Sequence, residues 1–143
     1  MDGAIALPYK IDSTNQYYNT ITPKSNNMKT DVVYLKNINR DIVYLIGTSA
    51  QDNFDVIDVS QPDDMWFHVK DLPSCHVVAK IPDDICDRKE ILAIVKRGAI
   101  LCKQHSKYAS VQNLAIIYTR IKNVEKTAIP GSVNTIDTKL VKV

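Results

Sequence analysis

The stretch from Asp87 to about Lys107 is the one long amphipathic segment of the chain, and it limits the folds open to everything around it. Ile91, Ile94, Val95, Gly98, Leu101, Cys102 and His105 recur at spacings of three and four, which is one apolar stripe of a helix. Asp87 and Glu90 near its start and Lys103 and Lys107 near its end suit the helix macrodipole. At about 100° per residue, Lys89, Lys96, Lys103 and Lys107 fall within roughly a 40° arc on the opposite side. A stripe of this kind has to dock on something, and its neighbours read as short strands. The expected class is therefore α+β: a mostly antiparallel sheet of about six short strands, this long amphipathic helix and one short helix.

The strands come from local patterns. "DVVYLKN" and "RDIVYLIG" flank an Asn-rich turn at Asn37 to Arg40 and read as a hairpin. After Gly47, Thr48 and Ser49 are N-cap candidates and Asp52 suits a first helical turn, so a short helix runs to about Val59, although "DVIDV" could equally be strand. Between Pro62 and Pro82, alternation gives two strands around "DLPS". Trp66 and His68 then face one way, Phe67 and Val69 the other, and His76 shares a face with Val78. The tail adds "VQNLAIIYTR", a basic loop "IKNVEKTAIPGS", "SVNTI" and "KLVKV". Residues 1–30, rich in Asn, Thr, Ser and Tyr with Pro8 and Pro23, read as an irregular arm ahead of one domain at 31–143.

Charge divides along the chain. Residues 1–85 carry 7 Lys and Arg against 12 Asp and Glu, whereas residues 86–143 carry 11 against 4. Halves of opposite sign suggest a basic face turned to an anionic partner, nucleic acid foremost, unless the fold interleaves the two and cancels the field. Three Cys that cannot all pair, with no secretory leader pattern, point to a reducing, cytoplasmic setting. No apolar run approaches the roughly 20 residues of a membrane span, so a soluble protein is expected.

His68, Cys75, His76, Cys102 and His105 are zinc-type donors, but Cys102 and His105 share the apolar stripe and Cys75 and His76 point to opposite faces of one strand. No metal site and no cofactor are expected. Asp63, Asp64, His68 and His76 could form an acid and base group, or could equally serve as turn caps and surface polar groups. Nucleophile-elbow, phosphate-loop, dinucleotide and zinc-protease motifs are lacking, so the chain is not expected to be an enzyme. Anion binding asks for less: Lys70, Lys80, the helical Lys96, Lys103 and Lys107, and Arg120, Lys122 and Lys126 supply charge, while Trp66 and His68 supply planar groups.

"PDDMWFHVKDLPSCHV", from Pro62 to Val77, resembles the signature of the NFACT-R domain family, Pro-x-Asp-x-Trp-x-His-Val, a short turn, then Gly-Ser-His-Val. Pro62, Asp64, Trp66, His68, Val69, His76 and Val77 fall in register. "IGTSAQDN" resembles the family's Gly-Arg-Asn-x-x-Glu-Asn stretch, "HSK" its helix-closing Ser-Lys, and "NVEKTAIPGSV" its late glycine loop at Lys126, Gly131 and Val133. The likeness covers roughly residues 32–143. It departs at Thr48, where the family commonly has Arg, at Ser49, where it has Asn, and at Ser74 and Cys75. The resemblance implies a stand-alone, non-catalytic RNA-binding module, directed to tRNA, rRNA or other structured RNA in translation or ribosome-associated quality control. It also implies that the hairpin rim carries His76 and Lys70 toward a phosphate backbone. Two other readings stay open: docking on a ribosomal or quality-control protein, and a small nuclease or hydrolase using His68 and His76.

Overall fold

The computed structural model describes residues 28–143. The irregular arm expected over 1–30 lies, as far as residue 27, outside the described residues. Strand β1 (Lys29–Leu35) already includes Lys29 and Thr30 and pairs antiparallel with β2 (Arg40–Gly47), from Lys29 opposite Ile46 to Leu35 opposite Arg40. The turn between them needs a left-handed residue, and Asn39 supplies it at φ 54°. Ser49 then caps helix α1 (Ala50–Asp58), its side chain accepting from the Asp52 backbone N–H at 3.1 Å. Caps of this kind are worth about 1 kcal/mol. "DVIDV" is thereby helical.

Strands β3 (Met65–Val69) and β4 (His76–Ala79) form the second hairpin, and helix α2 (Arg88–Gln104) follows, with Asp87 accepting from the backbone N–H groups of Lys89 and Glu90. The chain returns as β5 (Ala115–Arg120), a 3₁₀ turn (Ile121–Asn123), β6 (Val124–Lys126), β7 (Val133–Thr135) and β8 (Lys139–Lys142). Six strands make one sheet in the order β1-β2-β4-β3-β5-β8, with every pairing antiparallel. The class is α+β, as expected. The stretch read as a basic loop contains β6 and, with β7, folds into a separate two-stranded ribbon.

Each face of the sheet has its own core. On one, Phe67, Val69, Val77 and Ile116 pack against Ile94, Val95, Ala99 and Leu101 of α2. On the other, Trp66, Val78 and Leu45 pack against Val56 and Ile57 of α1, with Val124 and Val133 of the ribbon alongside. The period-two alternation of β3 makes this division: Phe67 and Trp66 are 0% and 1% exposed on opposite sides.

Helix α2 lies close to the sheet because residue 98 carries no side chain. A Cβ at Gly98 would stand 2.3 Å from Cζ of Phe67, a ring with no room to yield. Gly98→Ala gains about 1 kcal/mol of helix propensity but overpacks the core at a typical cost of about 1–3 kcal/mol. We expect a net loss of stability in urea unfolding, recovered in part when Phe67→Leu is added. A Gly98→Ala protein more stable than its parent would contradict this packing.

Candidate nucleic-acid interface

The residues of the β3–β4 hairpin that looked available for chemistry are largely turned inward. The indole N–H of Trp66 donates to Nδ1 of His76 at 3.1 Å, so the His76 ring is neutral with its proton on Nε2. The backbone N–H of His76 donates to Oδ1 of Asn53 at 3.1 Å, which ties β4 to α1. His68 stacks on Trp66 with ring centroids 5.6 Å apart and planes 10° from parallel, and meets the edge of His76 at 5.0 Å. Nδ1 of His68 lies 2.7 Å from the Val69 carbonyl, to which it donates. Burial pushes both imidazoles below the usual histidine range; His68 as a neighbour adds to the effect on His76, which falls to about 3. His68 alone of the three is more than marginally exposed.

Asp64 explains the motif's carboxylate. Its side chain accepts from the backbone N–H of Gln61 at 2.8 Å and of Ile81 at 2.9 Å, and Nζ of Lys80 lies 2.7 Å away. Its carbonyl accepts from Ile121 N–H at 2.8 Å. One buried residue thus joins the start of β3, the end of β4 and the end of β5.

The cations separate into two populations. Lys70 pairs with Asp71, Lys80 with Asp64, Lys122 with Asp63, Lys126 with Asp58 and Arg40 with Asp84. Lys126 also lies over the Phe54 ring, on the α1 side. Among the described residues these are all the ion pairs within 4.0 Å, and none involves α2. That helix holds Arg88, Lys89, Lys96, Arg97 and Lys103 against the single acid Glu90. Lys96 and Lys107 are exposed, while Nζ of Lys103 donates to the Val143 carbonyl at 3.1 Å. Arg120 donates from Nη1 to the Asp63 carbonyl at 2.6 Å and borders a hollow together with Arg88 of α2. Lys96, Lys103, Lys107 and Arg120 are therefore on the α2 side of the molecule; Lys80, Lys126 and the ring cluster are on the α1 side; Lys70 sits just past β3.

Residues that the sequence did not single out complete the α2 side: Arg88, Arg97, Tyr118 and Lys139. Lys139 pairs in register with Tyr118, which pairs with Phe67, so all three share the face that α2 covers. The pairing register was the missing signal, since three elements bring these residues together. Cys75 and Cys102 are buried side by side, the Cys75 thiol donating to the Cys102 carbonyl at 3.4 Å. Among the described residues no three His, Cys, Asp or Glu side chains converge as a metal-binding group would need. No helix there is long and apolar enough to cross a membrane.

Comparison with known proteins adds a sequence context. Residues 28–136 match a family described as the NFACT protein RNA binding domain. The coiled-coil domain-containing protein 25 homolog of Dictyostelium discoideum is 36% identical over 106 residues, 68% of this chain and 48% of that protein. Coiled-coil domain-containing protein 25 of Danio rerio is 38% identical over 93 residues, 58% of this chain and 41% of that protein. The chain thus spans less than half the length of these relatives. In shape it is similar to the C-terminal part of the fibronectin/fibrinogen-binding protein from Streptococcus suis, with a TM-score of 0.65 and 23% identity over 80% of this chain and 45% of that one.

The enclosed imidazoles make stability depend on pH. A folded-state value of about 3 for His76, against about 6.5 unfolded, means that the unfolded chain takes up a proton the fold refuses. This contribution is complete above about pH 6.5 and is lost as pH falls toward 3, by up to about 1.4 kcal/mol per unit. Urea unfolding at about pH 7 and about pH 5 should differ by about 2 kcal/mol, His68 acting in the same direction, and His76→Asn should flatten the dependence. Equal stability of the parent at both values would contradict the enclosure.

Proposed function

The chain belongs to the NFACT RNA-binding domain family, and from that premise we propose that it is a non-catalytic module that binds structured RNA or tRNA, in translation or ribosome quality control, through the outer face of α2. The observation that carries this reading is the uneven neutralisation of charge. Every described ion pair lies off α2, whose Arg88, Lys89, Lys96 and Arg97 are exposed with one acid, Glu90, among them, while the fifth cation, Lys103, is half-buried against the Val143 carbonyl. Lys89, Lys96 and Lys103 span roughly 21 Å of helical rise, and Lys107 follows in the turn just past the end of α2. Neighbours in that row stand about one Debye length apart at physiological salt, so their potentials reinforce one another over several phosphates.

Phosphate contacts of this kind give affinity with little sequence preference. The enclosure of His76 by Trp66 and Asn53 supports a module without catalysis, since general base work needs a ring that reaches its substrate. Docking on a ribosomal or quality-control protein is the second reading. It is favoured by edge strand β1, where Val32 and Tyr34 are 59% and 56% exposed. A partner that survives nuclease treatment in a pull-down and is lost on Val32→Lys would support it.

Four phosphate contacts imply a fall in RNA affinity of about 50- to 150-fold as salt rises from about 50 to about 200 mM. Titration of labelled tRNA should show that steepness. Lys96→Glu with Lys107→Glu should weaken binding about tenfold and lower the salt slope by about two, while Lys126→Gln, which removes an already paired cation, leaves affinity within about twofold. Binding that ignores salt would defeat the proposal.

A further inference from the structure

Between the first turns of α2 and the β3–β5–β8 part of the sheet lies a hollow of about 330 Å³. Its wall is apolar and aromatic, formed by Ile91, Leu92 and Val95 of α2 and by Met65 and Tyr118 of the sheet. Phe67 braces the Tyr118 ring at 6.1 Å. Around this wall stand three cations from three different elements, Arg88, Arg120 and Lys139, with one carboxylate, Asp137. The Arg120 guanidinium is held in place by the Asp63 carbonyl. Asn123 also lines the hollow, and its amide N–H donates to Oγ1 of Thr119 at 3.0 Å, which leaves its oxygen as an acceptor.

Such a site asks for a ligand with a flat, largely apolar body, hydrogen-bonding edges and an anionic group outside the body. A phosphate alone would leave the wall unused, and an apolar group alone would leave three cations unused. A nucleoside monophosphate unit has all three parts. The volume lies at the small end of ligand sites, about 300–1,000 Å³, which suits one nucleotide and not a stack of them. Single-stranded bases splayed from a duplex are commonly received on aromatic side chains in this way.

We propose that this hollow receives one unpaired nucleotide of the bound RNA, its base against Tyr118 and the α2 wall and its phosphate among Arg88, Arg120 and Lys139. The proposal rests on the RNA-binding reading above and gives it a second component, since the α2 lysines grip the backbone whereas the hollow selects RNA with a free base beside it.

The test uses the whole chain in two measurements. In methyl-detected NMR, adenosine 5′-monophosphate should shift Ile91, Leu92 and Val95 saturably, whereas inorganic phosphate should not. Leu92 is 44% exposed, so Leu92→Trp obstructs the hollow without disturbing the core and should abolish the shifts, as should Arg88→Gln. In the second measurement, an RNA hairpin with a one-nucleotide overhang should bind about fivefold more tightly than its blunt counterpart, an advantage lost in Leu92→Trp. Silent methyls with adenosine 5′-monophosphate overturn the proposal, as do equal shifts with phenyl phosphate, which would assign the hollow to a phosphorylated aromatic side chain. Tight binding of both hairpins without preference overturns it while leaving the RNA-binding reading standing. Saturable nucleotide shifts with no binding of either hairpin keep the nucleotide site and overturn the RNA-binding reading.

Discussion

Phe67 of β3 fills the space that Gly98 leaves in α2, and the orientation of the whole basic helix follows from that contact. The alternation of a five-residue strand sends Phe67 to one side and Trp66 to the other. Once α2 is seated on the Phe67 side through Ile94, Val95, Ala99 and Leu101, residues half a turn away must face outward. Those residues include Lys89 and Lys96. A core contact between two uncharged residues thus decides where the molecule displays its charge. Nothing in the cations themselves would do so, since like charges on one helix repel modestly and are tolerated only because solvent screens them.

The motif that carries the family likeness does different work from the cations. Trp66, His76 and Asn53 link β3, β4 and α1 in one buried hydrogen-bonded group, and Asp64 joins the ends of three strands. These are assembly devices. They hold the sheet's second face closed under α1 and the β6–β7 ribbon, with the Trp66 N–H, His76 Nδ1 and Asn53 Oδ1 engaged inside the group. The binding of RNA proposed above uses instead the opposite face, where α2, the end of β5 and β8 place cations that outnumber the acids beside them, Glu90 and Asp137. The family match therefore supports a shared scaffold, and the affinity for RNA proposed here comes from residues outside the motif.

Much of this was legible from sequence where the determinant is local. The three-and-four spacing of α2, the Asn-rich turn before Arg40, the Ser49 cap and the alternation through Trp66 to Val69 all act within one or two turns of chain. Ion pairing was not legible, because the partners are distant: Lys126 meets Asp58 across 68 residues and Lys122 meets Asp63 across 59. The sequence offered Lys80, Lys122 and Lys126 on equal terms with Lys96 and Lys107, and only the fold separates paired from unpaired. Strand β6, three residues long, is too short to leave a period and reads as loop, whereas its partner β7 lies in "SVNTI", which reads as strand. The hollow beside Tyr118 depends on strand register and on α2's approach, which no single segment encodes.

The central claim is that one face of the sheet carries the RNA and the other does not. Lysine-acetylation footprinting of the protein with and without tRNA tests it residue by residue. The account requires protection of Lys89, Lys96, Lys107 and Lys139, with Lys70 and Lys126 modified equally in both states. Protection of Lys126, with the α2 lysines unchanged, would place the RNA on the α1 side of the sheet and contradict it.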